Sequence, residues 1–121
     1  MRSLVLIAAA MGLTFSGAAY AHPKLVSATP AQNAVVAKPG RLQLHFSEKL
    51  VPAFSTADVT MDAMPGMAAM KMPSSTAVAP DGRTLVVTPK SALPRGRYTV
   101  AWRVVSGDTH RVNGTYSFSV K

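Results

Sequence analysis

Apolar and polar residues alternate along several stretches of the chain, which is the pattern of β-strands with one buried face. Every second residue of Arg41–Phe46 is apolar, and His45 lies on the opposite, polar face, where we expect it to be solvated. The same alternation runs through Arg97–Val105 and Thr115–Val120. Weaker strand patterns occur in four further segments, Leu25–Ser27, Ala57–Met61, Thr76–Ala79 and Thr84–Thr88. The alternation therefore predicts about seven short strands.

Turn-forming residues separate these strands. They occur as four groups, Lys38-Pro39-Gly40, Pro80-Asp81-Gly82, Pro94-Arg95-Gly96 and Asn113-Gly114. Nine prolines and eight glycines in 121 residues leave little room for helix, because both residue types disfavour it. Short strands separated by such turns predict an all-β domain, a Greek-key β-sandwich or barrel of immunoglobulin-like type.

The first 21 residues follow a different pattern. Arg2 precedes an apolar run from Leu4 to Thr14, and small residues then lead to Ala19-Tyr20-Ala21. This order is typical of a secretory signal peptide, and the run is shorter than the roughly 20 residues of a membrane-spanning helix. We predict export to the periplasm and cleavage after Ala21, with residues 22–121 as a single domain. An uncleaved membrane anchor is the alternative.

Net charge limits the possible partners, and the cysteine count bears on how the domain is stabilised. The net charge is +8, and loss of Arg2 with the signal peptide leaves 12 − 5 = +7. The basic residues are dispersed singly, and an exported chain is not expected to bind nucleic acid. Attraction to anionic lipid or to an acidic partner stays open. The chain has no cysteine, so the domain must be stable without the disulfides that small exported domains often use.

A methionine cluster is the first candidate for chemistry. Pro65-Gly66 in its middle and Pro73 at its end argue against a methionine face on a helix. Two interpretations remain, an adaptable apolar surface for a protein partner and a soft-metal site, because thioethers select Cu(I) over harder ions. The cluster holds five of the seven methionines within twelve residues, Met61, Met64, Met67, Met70 and Met72.

Histidines and carboxylates form the second candidate. After cleavage, His22 would offer its α-amine and Nδ1 to one metal, and Pro23 has no amide proton that copper could displace. His110 can add a third nitrogen and Asp108 an oxygen, a set that suits the tetragonal preference of Cu(II). Taken alone, an Asp-x-His sequence is more often a turn with a surface histidine. Glu48 is a further candidate, with an ordinary surface acid as the alternative.

No catalytic motif stands beside these candidates. The chain has no G-x-S-x-G, cysteine nucleophile, Walker-type loop or H-E-x-x-H. We therefore predict that it is not an enzyme. The rival hypothesis is a copper-dependent oxidative enzyme, because an amine and two histidines also form the copper brace of lytic polysaccharide monooxygenases. Asp108 and Glu48 would occupy positions that oxygen needs there, which favours a binding role.

The chain resembles the CopC/PcoC-type periplasmic copper-resistance proteins. The match extends over essentially all of residues 22–121. The motifs that carry it occur in the same order as in the family: His22–Ser27, Leu44–Glu48, Met61–Met67, Tyr98–Val105 and Ser106–His110. The resemblance implies a cupredoxin-like, immunoglobulin-like β-domain with two separated copper sites. It implies Cu(II) ligands at His22, Glu48, Asp108 and His110, and Cu(I) ligands at Met61, Met64, Met67 and Met72.

One position departs from the family pattern. Family members typically place a histidine within the methionine loop, and the corresponding residue here is Ala69, followed by Met70. Our hypothesis is an all-thioether Cu(I) site in which Met70 substitutes for that histidine. The resemblance implies a monomeric copper carrier or buffer that exchanges copper with a CopD-type inner-membrane protein or another periplasmic copper protein. A methionine-rich interaction module without metal is the remaining alternative.

Overall fold

The computed structural model describes residues 22–121, and within them the chain forms nine β-strands and one short 3₁₀ turn, Pro52–Phe54. The strands are β1 Leu25–Thr29, β2 Val35–Val36, β3 Leu42–Phe46, β4 Thr56–Met61, β5 Met70–Met72, β6 Ser74–Val78, β7 Thr84–Pro89, β8 Gly96–Val105 and β9 Arg111–Val120. No helix in this part of the chain is long and apolar enough to cross a membrane.

The strands form two sheets that pack face to face. One has the order β1-β3-β7-β6 and the other the order β2-β9-β8-β4-β5. Paired strands are antiparallel except for β2 and β9, which run parallel. The prediction of an all-β sandwich is confirmed, and all seven predicted strands are present. The two additional strands, β2 and β5, have only two and three residues, too few for an alternating pattern to reveal them.

The hydrophobic core lies between the sheets and is built from the inward-facing positions of each strand. In β3 the burial alternates along the strand, with Leu42, Leu44 and Phe46 buried. The longest inward-facing series comes from β8, where Tyr98, Val100, Trp102 and Val104 are buried. Each fully buried apolar side chain contributes about 1.5–3 kcal/mol. Core packing is therefore the main stabilising contribution in a chain without disulfides.

The predicted turn at Asn113-Gly114 is wrong, because both residues lie inside β9. Gly114 is the partner of Trp102 in β8. A Cβ atom at Gly114 would lie 2.3 Å from Cζ2 of the Trp102 indole, so glycine is required for the ring to lie across the strand. The true connection between β8 and β9 is the segment 106–110, where Thr109 has a φ of 70°. This loop contains the predicted Asp-x-His sequence.

Candidate metal sites

The two groups of predicted ligands lie at opposite ends of the sandwich. Strand β8 begins at Gly96, next to Met61, and ends at Val105, directly before the loop with Asp108 and His110. The strand has ten residues, so about 30 Å separates its ends. The histidines and methionines are therefore too far apart to bind the same metal ion.

At the first end the structure brings His22 against His110. Their ring centroids are 4.7 Å apart and the rings meet edge to face at 80°. Backbone anchoring explains the approach, because Pro23 is buried and Lys24 forms two hydrogen bonds with Ser47. The Lys24 N–H donates to Ser47 Oγ over 2.9 Å, and the Ser47 N–H donates to the Lys24 carbonyl over 2.9 Å. The start of the described chain is thereby fixed beside the β8–β9 loop.

Asp108 is held as the partner of His110. The Ser106 hydroxyl donates to Asp108 Oδ1, and Asp108 Oδ2 lies 2.9 Å from Nδ1 of His110. These hydrogen bonds, first from Ser106 and then from His110, lower the pKa of Asp108 to about 2. The carboxylate is therefore ionised at neutral pH and can only accept in this bond, so Nδ1 of His110 carries the proton and donates it as a hydrogen bond. A metal bound at this end would therefore be held by Nε2 of His110, while Asp108 orients the ring.

Glu48 lies between the two segments that hold the histidines. The preceding residue, Ser47, is bonded to Lys24, and the carbonyl of the following residue, Lys49, accepts a hydrogen bond of 3.3 Å from Gly107. Glu48 is partly buried, and its carboxylate makes no hydrogen bond or ion pair with any residue in 22–121. The fold therefore brings Glu48 to this end, although its carboxylate forms no hydrogen bond or ion pair with His22 or His110.

The full set of predicted Cu(II) ligands is not assembled in the uncleaved chain. Among residues 22–121, no three histidine, aspartate or glutamate side chains converge into a metal-binding group. The predicted backbone donor, the α-amine of His22, is a peptide nitrogen as long as Ala21 precedes it. The predicted signal peptide and its cleavage site lie outside the described residues. The donor types at this end fit copper, and the missing donor would be created by cleavage.

His45 was predicted to be solvated. Its side chain instead takes part in a hydrogen-bond network on the outer face of the four-stranded sheet. Its Nδ1 lies 2.8 Å from the Thr84 hydroxyl, which in turn donates to Asp81 over 2.7 Å. Because the Thr84 proton is directed to Asp81, Nδ1 of His45 is the donor in the first bond. No local sequence pattern indicated this hydrogen-bond network, since it depends on the pairing of β3 with β7.

At the other end, Met64 and Met67 face each other across a tight turn. Each donates its backbone N–H to the carbonyl of the other, over 2.9 and 2.8 Å. Pro65 and Gly66 occupy the two central positions, and Gly66 has a φ of 82°, which is typical of a type II turn. Directly paired residues project from the same side of a hairpin. The two thioethers are exposed, by 37% for Met64 and 45% for Met67.

The remaining methionines divide between surface and core. Met70 pairs with Met61 across β4 and β5 and is 50% exposed. Met61 is only 5% exposed, and its sulfur would lie 3.7 Å from a Cβ atom at Gly96. Met72 pairs with Val59 and packs against the core. The surface therefore presents three soft ligands, whereas Met61 would have to leave the core to bind a metal.

Known proteins resemble the chain over nearly its whole length. Residues 25–121 match the family described as the CopC domain. A copper resistance protein C of Xanthomonas campestris pv. juglandis is 47% identical over 121 residues, covering 98% of this chain and 93% of the relative. A copper resistance protein C of Pseudomonas syringae pv. tomato is 49% identical over 114 residues, covering 93% of this chain and 90% of the relative.

A solved structure agrees with these relatives. The crystal structure of PcoC, described as a methionine-rich copper resistance protein from Escherichia coli, matches the fold with a TM-score of 0.78. It is 42% identical, and the match covers 84% of this chain and all of PcoC. Fold and sequence agree, and the chain belongs to the CopC family.

Proposed function

We propose that this protein carries or buffers copper in the periplasm, binding Cu(II) at the histidine end and Cu(I) at the methionine end. The observation that supports the proposal is the separation of two chemically different ligand groups on one sandwich. Imidazole and carboxylate suit Cu(II), whereas thioethers suit Cu(I). Two relatives of similar length are named copper resistance proteins, in agreement with a role in copper tolerance.

At the histidine end, export and cleavage after Ala21 would complete the ligand set. His22 would then bind through its α-amine and Nδ1, and His110 through Nε2. Glu48 and Asp108 supply the oxygens, and Asp108 also orients His110 through the 2.9 Å bond to Nδ1. The amine and imidazoles must lose protons to bind a metal. Cu(II) affinity should therefore fall as the solution becomes more acidic.

At the methionine end, the exposed thioethers of Met64, Met67 and Met70 would bind Cu(I) first. Met61 and Met72 lie at the adjoining edge of the core and would join by side-chain rotation. Met70 replaces the histidine that the family typically places at the position of Ala69. Thioethers do not protonate in water, whereas imidazole does near pH 6.5. Cu(I) affinity should therefore vary little between pH 5.5 and pH 7.5.

Both ends are open to exchange, which suits a carrier better than an enzyme. The His22 side chain and the methionine turn are exposed, so copper could be passed to a CopD-type inner-membrane protein or another periplasmic copper protein. We propose that the protein does so as a monomer. Carboxylates at the histidine end would stabilise Cu(II) and occupy positions that oxygen activation requires, which argues against an oxidative enzyme.

The decisive experiment is an EPR spectrum of Cu(II) bound to the processed protein, compared with a variant that has one additional alanine before His22. The first residue of each purified protein is established by mass spectrometry, because the insertion could move the cleavage site. We expect a nitrogen-rich tetragonal signal that changes in the extended variant, because the α-amine then no longer belongs to His22. Identical spectra from two proteins with the correct N-termini would refute the proposed Cu(II) site.

A further inference from the structure

A surface pocket of about 380 Å³ lies beside the β8–β9 loop, on the side of the five-stranded sheet that faces away from the core. Its position follows from the pairing of Val105 with Arg111 and of Arg103 with Asn113. These four residues alternate with the inward-facing ones, so their side chains share the outer face of the sheet. Phe54, from the 3₁₀ turn, completes the rim.

Phe54 is a fixed but exposed aromatic residue. Phe54 is 65% exposed, and no residue of the turn Pro52–Phe54 is buried. The turn is nevertheless held at both sides, because the Val51 N–H donates to the Val105 carbonyl over 2.8 Å and the Val105 N–H donates to Ser55 Oγ over 3.2 Å. The backbone thus holds an aromatic ring where it adds little to the core and can contact a partner.

The pocket is also positively charged. No acidic residue lines it, whereas Arg103 and Arg111 both do. Arg103 uses one nitrogen to bond Asp58 over 3.1 Å, which leaves its other donors for a ligand. Arg111 has no carboxylate within 4 Å among residues 22–121. Two guanidinium groups beside an exposed aromatic ring are suited to carboxylates attached to an apolar group.

The pocket adjoins the candidate Cu(II) site through the chain itself. Arg111 follows His110 directly, and Val105 precedes the loop that contains Asp108. Leu50 pairs with Ser106 at the base of the same loop. A molecule seated in the pocket would therefore lie alongside the histidine end, whereas the methionine end would be about 30 Å away.

We propose that this pocket docks an acidic segment of a partner protein that exchanges copper with the histidine end. An apolar side chain of the segment would pack on Phe54, and its carboxylates would bind Arg103 and Arg111. A membrane surface fits less well, because Asp58 and Asp62 lie between the basic residues of this sheet face and interrupt the positive charge. Binding of the acidic segment does not depend on the proposed function, since none of the proposed metal ligands lines the pocket. Only the role of the partner, the exchange of copper, rests on the proposed function.

NMR of the metal-free, ¹⁵N-labelled protein tests the docking directly. The probe is a five-residue peptide with a central leucine and two acidic residues on each side, and the control peptide has lysines in place of the acidic residues. We expect chemical shifts to change at Phe54 and along Arg103–Val105 and Arg111–Asn113. Phe54→Ala and Arg111→Gln should each weaken binding about 5–10-fold. Arg95→Gln, at the opposite end of β8, should leave it unchanged.

Three results would overturn the docking: equal binding of the lysine peptide, shift changes that avoid the pocket, or the same changes with vesicles of anionic lipid. Copper is absent from this titration, so its outcome is independent of the EPR experiment. Peptide binding without the expected EPR signal would leave the docking intact and refute the proposed Cu(II) site. The expected EPR signal without peptide binding would refute the docking alone.

Discussion

The histidine end and the methionine end draw their candidate ligands from different spans of the chain. His22, Glu48 and His110 come from three segments far apart in sequence, joined by hydrogen bonds such as those of Lys24 with Ser47. The methionines come from one stretch of twelve residues, shaped by its own turn at Pro65-Gly66. The first site therefore depends on the whole sandwich, whereas the second is largely a local structure.

The largest expected effect is on the free energy of unfolding, and it comes from replacing a glycine that the packing of the sandwich requires. Gly114→Ala would force a Cβ atom against the Trp102 indole, and such overpacking should lower the free energy of unfolding by about 3 kcal/mol. Gly66→Ala is the matched control. Gly66 has open space around it and only an unfavourable φ, so its cost should be about 1 kcal/mol. Urea unfolding measures both, and equal losses would contradict the comparison.

The next largest effect is on copper affinity, and it should differ between Cu(II) and Cu(I). His110→Ala should lower Cu(II) affinity about 100-fold, because it removes a proposed nitrogen ligand together with the group that Asp108 orients. Cu(I) affinity should not change, since the methionine turn is about 30 Å away. Competition titrations with one chelator for each oxidation state measure both affinities. A parallel loss of both would show that the ends are not independent.

A smaller effect tests the division of the methionines between surface and core. Met64→Leu and Met70→Leu should each lower Cu(I) affinity about tenfold by removing an exposed sulfur. Met61→Leu conserves side-chain volume at a buried position, so it should cost less than about 1.5 kcal/mol of stability. If Met61 stays in the core, its replacement should leave Cu(I) affinity nearly unchanged. A tenfold loss for Met61→Leu would show that this side chain leaves the core to bind.

The smallest effect concerns acid pH at the histidine end. The pKa of Asp108 falls from 3.8 to about 2 in the folded chain, so its ionised form stabilises the fold. That stabilisation is complete above pH 3.8 and is lost as the pH falls through about 2. Ser106→Ala removes the first of the hydrogen bonds responsible and should raise the pKa toward 3.8. Carbon-13 NMR of the carboxyl group follows the titration, and an unchanged pKa would exclude Ser106 as the cause.

Sequence patterns predicted the fold where the determining signal is short-range. Alternation located seven strands because each side chain's face depends only on its neighbours along the strand. The same alternation over Ala57, Val59 and Met61 contained the signal that Met61 is buried, although the methionine spacing suggested a surface ligand. The turn at Asn113-Gly114 was mispredicted because the packing of Trp102, a contact between strands, overrides local turn preference.

Site residues were harder to assess where they depend on long-range contacts. The approach of His22 to His110 and the position of Glu48 follow from anchoring between distant segments, which no local pattern encodes. The hydrogen bonds that connect His45, Thr84 and Asp81 likewise depend on the register of β3 with β7. By contrast, the facing pair Met64 and Met67 can be inferred from Pro65-Gly66 alone, because that dipeptide favours a type II turn.

The length of β8 also limits electron transfer between the two ends of the sandwich. Electron tunnelling through protein weakens exponentially with distance, and about 30 Å of sandwich lies between the two ends. Copper at one end would then exchange electrons with copper at the other far more slowly than small molecules in solution could oxidise or reduce either ion. The β-sandwich would act as an insulator, so that one molecule could transport Cu(I) and Cu(II) together without either ion setting the oxidation state of the other.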